Sequence, residues 1–153
     1  MSYIDSVLQP GEVVVGRTRL HWNIYLGGVS LLVLAVIVFI AGTDVDVQLR
    51  LFVDIAAALL GLAALWRILA AWIRRHSTEL AVTNRRVIHK EGLLSRKTQE
   101  MNREKVESID VEQSLAGRIF GYGTILVRGV GSSWEPFRDI ADPLAFRSHI
   151  TAG

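Results

Sequence analysis

Two apolar runs, separated by the short polar segment TDVDVQL (43–49), fill residues 24–73 of this chain. Each run is close to the roughly 20 apolar residues that a helix needs to cross the hydrocarbon core of a bilayer. Because lipid offers no hydrogen-bond partners, each run must satisfy its own backbone groups as a helix. A connection this short holds no folded domain, so the sequence predicts a transmembrane hairpin with helices at about 24–42 and 51–73.

The two runs differ in their charge. Residues 24–41 carry none, whereas the second run has Asp54 near its start and Arg67 near its end. Arg50 precedes Asp54 by four residues, a spacing that favours an ion pair on a helix. Two interpretations of Asp54 and Arg67 remain open: interfacial anchoring, and a role in a pathway or relay within the membrane. The second run also has Ala57 and Gly61 at small-xxx-small spacing, which favours tight hairpin packing or self-association.

Basic and aromatic residues flank the hairpin as expected at membrane interfaces. Arg17 and Arg19 precede the first run, whereas the connecting loop carries Asp44 and Asp46. The positive-inside rule therefore predicts that both termini are cytoplasmic. Charged residues in the first twenty also argue against a cleaved signal peptide, so the first helix is expected to remain as an anchor. The predicted interface anchors are Trp22, Tyr25, Trp66, Arg67, Trp72, Arg74 and Arg75.

Short segments with strand character replace the helical pattern in the domain predicted over 77–153. They are TELAVT, RVIHKEG, SRKTQEM, VESIDVEQ, TILVRG and SSWEPFRDI, and Asn84-Arg85 is expected to form a tight turn between the first two. The glycines at 117–123 are expected to shape a connection. Asp142 and Pro143 are expected to be the N-cap and the first residue of a final helix. Phe146 and Ile150 would form the apolar stripe of this helix. The sequence thus predicts antiparallel strands closed off by one C-terminal helix.

An N-terminal arm, residues 1–23, precedes the hairpin. Its segment EVVVGRTR (12–19) is rich in β-branched residues, which favours a strand. Two arrangements fit this strand: it joins the later sheet, since both flanks of the hairpin lie on one side of the membrane, or it stays separate.

The chain resembles a known family over almost its whole length. The segments LQPGE (8–12), LAVTNRRVI (80–88), GLLSRKTQE (92–100), KVESIDVEQSLAGRIFGYGT (105–124) and DIADP (139–143) are similar to those of bacterial PH-like membrane proteins. The resemblance implies a membrane α + β protein: a two-helix transmembrane hairpin with a pleckstrin-homology-like antiparallel β-barrel capped by a C-terminal helix. It also implies a multi-pass protein of the bacterial inner (plasma) membrane. The family has no agreed biochemical function.

No arrangement of residues typical of catalysis is visible. The chain has no cysteine, and its four histidines are scattered without metal-ligand spacing. The glycines match neither a P-loop nor a dinucleotide fingerprint. We therefore expect no enzyme activity, no cofactor and no metal, and the small net charge of +2 gives no reason to expect nucleic acid as a partner.

Positive charge is concentrated next to the hairpin. Residues 74–105 contain nine basic residues against four acidic ones. Cationic side chains near an anionic leaflet contribute about 1 kcal/mol each to membrane attraction. The predicted leaflet or lipid-headgroup contacts are Arg85, Arg86, Lys90, Arg96 and Lys97. Three interpretations of these charges remain open: non-specific contact with the leaflet, specific recognition of headgroups, and a role limited to surface solvation and the positive-inside bias.

These observations favour a non-catalytic, membrane-anchored module that binds or scaffolds an unidentified membrane or cytoplasmic protein. Recognition of membrane lipids through the basic residues is the first alternative. Self-assembly of the chain into a homo-oligomeric membrane complex is the second.

Overall fold

The computed structural model describes residues 3–92, 97–133 and 136–152, and the chain forms two compact units. One unit is helical and comprises Trp22–Ile73. The other, the sheet unit, combines Met1–His21 with Arg74–Gly153. The N-terminal arm and the domain after the hairpin therefore fold together, although the helical segment separates them in sequence.

The helical unit contains two long helices. A 3₁₀ turn, Trp22–Tyr25, leads into α2 (Leu26–Ala41), and a second 3₁₀ turn, Gly42–Asp44, precedes α3 (Val47–Ser77). α3 extends beyond the predicted 51–73 at both ends, because its helical hydrogen bonds continue through polar residues that an apolar pattern does not register. Two spans are long and apolar enough to cross a membrane: Trp22–Asp44, which is α2 with its two flanking turns, and Val47–Ser77, which is α3. Only 11% of the apolar window of each span is buried. They therefore differ from the mostly buried core helix of a soluble domain.

Small residues allow close packing within the helical unit. A Cβ on Gly28 would lie 2.6 Å from Ile68 Cγ1, and Ala57 and Ala64 are buried. A Cβ on Gly61 would meet nothing within 4 Å, so Gly61 does not contribute to close packing within the described helical unit, and the alternative of self-association stays a prediction. The pair Arg50–Asp54 has the predicted spacing, with 3.9 Å between Nε and Oδ2.

Two four-stranded antiparallel sheets form the sheet unit. In sheet A the order is β1-β2-β3-β4, and in sheet B it is β5-β6-β7 with β8 also paired to β6. The strand at Val14–Thr18 joins sheet A, with Thr18 opposite Leu80. The strand bounds are β1 Val14–Thr18, β2 Glu79–Thr83, β3 Arg86–Glu91, β4 Lys97–Asn102, β5 Val106–Glu112, β6 Tyr122–Gly129, β7 Ser132–Ser133 and β8 Phe137–Ala141.

The sheets meet along the chain that follows β1. Leu20 forms an antiparallel bridge with Ile140, the His21 N–H donates to the Asp139 carbonyl at 2.6 Å, and the Ala141 N–H donates to the Arg19 carbonyl at 2.9 Å. Alternating side chains from both sheets fill the interior. The buried members include Leu80, Val82, Val87, Ile125 and Val127. Ile88 lies on the other face of sheet A, where it clusters with Ala81 and Ile4.

Three short helices complete the sheet unit: α1 (Tyr3–Val7), α4 (Leu115–Phe120) and α5 (Pro143–Thr151). α5 buries Phe146 and Ile150 as its pattern predicts. Asp142 occupies the N-cap position, but it has φ 46° and its side chain makes no capping hydrogen bond. The C-terminal end is held by Arg103, whose Nη2 donates to the Ile150 carbonyl at 2.7 Å and to the His149 carbonyl at 3.1 Å.

The helix α4 lies in the segment for which the glycines at 117–123 predicted only a connection. The Ser114 hydroxyl accepts from the Gly117 N–H at 3.0 Å and caps the helix. Gly121 ends it at φ +73°, a left-handed conformation that glycine adopts without steric cost. The helix has only six residues, too few for a helical period to stand out in the sequence.

Candidate functional site

The predicted basic residues that the structure describes lie at the two ends of sheet A, as expected from a turn at Asn84-Arg85 that is followed by a strand. Arg86 is opposite Asn102 at one end of β3, and Glu91 is opposite Lys97 at the other. At a strand rise of about 3.3 Å per residue, these ends are roughly 16 Å apart. Arg85 lies in the β2–β3 turn, and Arg86 follows it as the first residue of β3. Lys90 lies near the other end of β3, where this strand pairs with the start of β4 at Lys97. Arg96 lies outside the described residues.

Arg86 is engaged inside the sheet unit. Its Nε and Nη2 each donate to Glu12 at 2.8 Å, to Oε1 and Oε2 respectively, and its Nη1 donates to Glu100 Oε2 at 2.6 Å. Nη2 also donates to the Val7 carbonyl at 3.0 Å. The Arg86 side chain is 13% exposed and the Glu12 side chain is fully buried. A guanidinium held this way fixes the fold, so we do not count Arg86 among the surface groups able to reach a leaflet.

Glu12 receives further hydrogen bonds that hold it ionised. The Gln9 N–H donates to Oε2 at 2.9 Å, and the Thr83 hydroxyl lies 2.8 Å from Oε1. The Arg86 guanidinium, assisted by these bonds, lowers the pKa of Glu12 to about 2. The same pairing raises the pKa of Arg86. This buried ion pair attaches the N-terminal arm to the β2–β3 turn.

The remaining predicted contacts have separate surroundings. Arg85 is exposed in the turn. Lys90 Nζ lies 5.9 Å from the centre of the Tyr3 ring, a cation–π distance. Lys97 is exposed at the start of β4.

A cavity of about 180 Å³ opens at the Lys97 end of sheet A. We call it the end cavity. Its apolar wall consists of Leu20, Leu80, Phe137 and Ile140, and its polar lining includes Thr78, His89, Glu91 and Gln99. Four cationic side chains also line it: Arg19, Arg74, Lys97 and Arg138. Of these, the sequence assigned only Lys97 to headgroup contact and Arg74 to the interface.

The buried base of the end cavity is ordered by ring packing. The His89 ring is 5% exposed, and its centre lies 4.3 Å from that of Phe137. His89 Nε2 lies 3.9 Å from Glu91 Oε2. Among the described residues, four cationic side chains and one carboxylate line the end cavity, so this part of its lining has an excess of positive charge.

An exposed apolar surface lies on α4. Leu115 is 80% exposed, Ile119 77% and Phe120 56%. Leu115 and Ile119 are one helical turn apart and form one face with Phe120 at its edge. We call these three residues the α4 surface. Directly after it, the Tyr122 ring stacks on the His21 ring with 5.2 Å between centres.

The predicted interface anchors lie at the start of the helical unit and along the C-terminal half of α3. Trp22 and Tyr25 form the 3₁₀ turn before α2, and Trp66 and Trp72 are exposed on α3. An Arg67 Nη2 atom lies near Gly27, 3.4 Å from where a Cβ would stand. Arg74 and Arg75 belong to the last turns of α3.

Sequence reasoning missed the role of Glu12 and most of the end cavity. The Pro10-Gly11 pair directly before Glu12 was a signal in the sequence, because such a pair indicates a turn. In the structure Gly11 adopts φ +79°, and the turn brings Glu12 to a buried position. The cavity had no such signal. Its cations come from segments that only the folded sheets bring together.

Comparison with known proteins identifies the family. A family model described as the bacterial PH domain matches residues 24–153. No curated protein and no solved structure matches the chain. The match covers most of the chain, and the antiparallel sheets with their helices fit a PH-like α + β fold. The chain therefore belongs to the bacterial PH domain family.

Proposed function

We propose that this chain is a non-catalytic module, anchored by a transmembrane hairpin, that binds a partner protein at the cytoplasmic surface of the inner membrane. The α4 surface is the observation that carries this proposal. In this proposal α2 and α3 span the bilayer with both termini in the cytoplasm, and the two sheets act as a PH-like barrel with α5 at its end.

The exposure of α2 and α3 supports insertion into a membrane. Helices of mean hydropathy 2.7 and 1.9 over their apolar windows would leave a large apolar surface in water if the protein were soluble. The basic residues at 17, 19, 74 and 75 flank the hairpin on one side, which supports a cytoplasmic sheet unit.

The α4 surface has the properties of a protein-binding site. Two aliphatic side chains and one aromatic side chain project together, and exposed apolar clusters commonly mark interaction sites. The helix is held rigidly, because Gly117 packs so closely that a Cβ would lie 2.6 Å from the Tyr122 carbonyl oxygen. A rigid apolar anchor loses little conformational entropy on binding, which favours a defined partner surface.

Photo-crosslinking in native membranes tests this proposal. We place p-benzoylphenylalanine at position 119 of the full chain, and at position 144 as a matched exposed apolar control on α5. We expect position 119 to give a discrete protein adduct that position 144 does not give. We also expect Leu115→Ser to reduce this adduct by about tenfold, the effect of losing roughly 1.4 kcal/mol of contact.

The mass and composition of the crosslinked adduct also distinguish the candidate functions from one another. An adduct with the mass of two copies of this chain supports the self-assembling version of the proposal. Adducts with lipid alone contradict protein binding and identify the α4 surface as a membrane contact. Equal adducts from both positions also contradict it, since they indicate random collision.

A further inference from the structure

We propose that the end cavity binds a phosphate group. This inference is independent of the protein partner at the α4 surface. It shares Lys97 with the predicted headgroup contacts. It differs from the part of that prediction at the β2–β3 turn, where Arg86 is already engaged by Glu12 and Glu100.

Three guanidinium groups around the end cavity are available to an anion. Among the residues that the structure describes, no carboxylate lies within ion-pair distance of Arg19, Arg74 or Arg138. They come from the end of β1, the end of α3 and β8 respectively. Folding thus collects like charges at one place, an arrangement that costs free energy unless an anion or solvent compensates it. Guanidinium groups suit phosphate because they donate in a planar, bidentate manner.

Thr78 provides a second observation that points to a ligand. Its Oγ1 is buried, and among the described residues it has no hydrogen-bond partner. A buried hydroxyl without a partner is destabilising, by roughly 1–3 kcal/mol. Thr78 lines the end cavity. In this proposal a bound phosphate oxygen accepts the hydrogen bond that the Thr78 hydroxyl lacks within the described residues.

Membrane topology alone does not account for these charges. The positive-inside bias applies within about 15–20 residues of a transmembrane end, which covers Arg19 and Arg74. Arg138 is on β8, far beyond that distance in sequence from Ser77, the last residue of α3. A site built for an anion explains its position beside the other two.

Cavity size and lining narrow the class of ligand. About 180 Å³ is below the roughly 300–1,000 Å³ of pockets for drug-sized molecules, so the end cavity suits a phosphate with a small substituent. Its wall of Leu20, Phe137 and Ile140 would accommodate an apolar substituent. Either a free phosphate or the headgroup of an anionic phospholipid has this chemistry.

Calorimetric titration of the full chain in phosphatidylcholine nanodiscs tests the proposal and separates the two sources. The probes are inorganic phosphate, dihexanoylphosphatidic acid, and dihexanoylphosphatidylcholine as the zwitterionic control, at about 0.15 M salt, where exposed charges are screened beyond roughly 8 Å. We expect saturable 1:1 binding of an anionic probe. Binding of inorganic phosphate with equal affinity identifies a free phosphate, and binding of the anionic lipid alone identifies a headgroup.

Two matched variants distinguish a built site from general attraction. Arg138→Gln removes one charge from the end cavity, and Arg118→Gln removes one from the exposed face of α4. We expect Arg138→Gln to weaken binding about tenfold, since a hydrogen bond between charged groups contributes roughly 1.5–3 kcal/mol, and Arg118→Gln to change it less than about twofold.

Thr78→Val keeps the side-chain volume and removes the hydroxyl. We expect it to weaken binding about tenfold, because the hydroxyl would donate to a charged phosphate oxygen and such a hydrogen bond is stronger than a neutral one. Absence of saturable binding by every probe overturns the proposal. Equal losses in Arg138→Gln and Arg118→Gln also overturn it, because they indicate attraction to net charge rather than a site.

Discussion

At the scale of single residues, Glu12 is the polar group that most constrains the sheet unit. It brings a fully buried carboxylate to Arg86, 74 residues away in sequence, and its hydrogen bonds reach both the arm and the β2–β3 turn. A buried pair of this kind is strongly destabilising when one partner is removed, because the other charge remains without compensation. The pair explains why an arm located before the hairpin packs against a domain located after it.

Glu12 also makes stability depend on pH in the acid range. Its pKa is about 2 in the folded chain and is expected near 4.3 in the unfolded chain. Between these values the unfolded chain binds more protons, so folding stability falls as pH falls. The contribution is fully present above about pH 5 and is lost as pH falls toward 2.

Comparison of the wild-type chain with Glu12→Gln measures this effect. We expect the variant to be less stable by roughly 3 kcal/mol at pH 7, as for a broken buried ion pair. We expect the difference to narrow as pH falls from 5 to 2, in urea unfolding of the full chain in neutral detergent followed by far-UV circular dichroism. A difference that stays constant over this range would show that the Glu12 charge is not the cause.

At the scale of elements, the sequence predicted those structures whose pattern is local. The alternation in VESIDVEQ and the Asn84-Arg85 turn correspond to β5 and to the β2–β3 connection. α4 escaped prediction because six residues with an internal glycine show no helical period. The separation of Arg85 and Arg86 from Lys90 and Lys97 was also predictable, because the predicted turn and the strand after it place these pairs at opposite ends of a hairpin.

The C-terminal end of α5 is capped by a residue that is distant in sequence. Arg103, in the 3₁₀ turn Arg103–Lys105, donates to the carbonyls of His149 and Ile150 at the end of α5. A cation at this position satisfies carbonyls that lack intrahelical partners and interacts favourably with the helix dipole. α5 covers the interior through Phe146, so its attachment matters for the whole sheet unit.

Arg103→Ala is therefore expected to loosen α5 specifically. We expect a loss of about 1–2 kcal/mol, detected as roughly tenfold faster amide hydrogen exchange in the peptide covering α5, with β6 much less affected. Arg147→Ala, which removes an exposed arginine from α5 itself, provides the matched control and should change exchange little. Equal acceleration in both variants would argue that charge on the helix matters rather than the cap.

At the scale of the whole molecule, one helical unit interrupts one sheet unit. The family match begins at residue 24, after β1, yet β1 forms an edge of sheet A. Sheet A and the buried Glu12–Arg86 pair both need segments from the two sides of the hairpin. If the hairpin spans the bilayer, those two segments must lie on the same side of it. The fold thus requires both termini to lie on one side of any membrane that the hairpin spans, whereas the choice of the cytoplasmic side remains a prediction from the flanking arginines.

The absence of cysteine from the chain makes this topology directly measurable. We introduce Ser6→Cys, Thr43→Cys or Thr151→Cys singly at exposed positions and label intact cells with a membrane-impermeant maleimide. We expect labelling at Thr43→Cys alone, and labelling at all three positions after permeabilisation, which serves as the control for reactivity. Labelling of Ser6→Cys and Thr151→Cys in intact cells would reverse the orientation. Labelling of only one of these two would contradict the pairing of β1 with β2, because the two segments would then lie on opposite sides of the membrane.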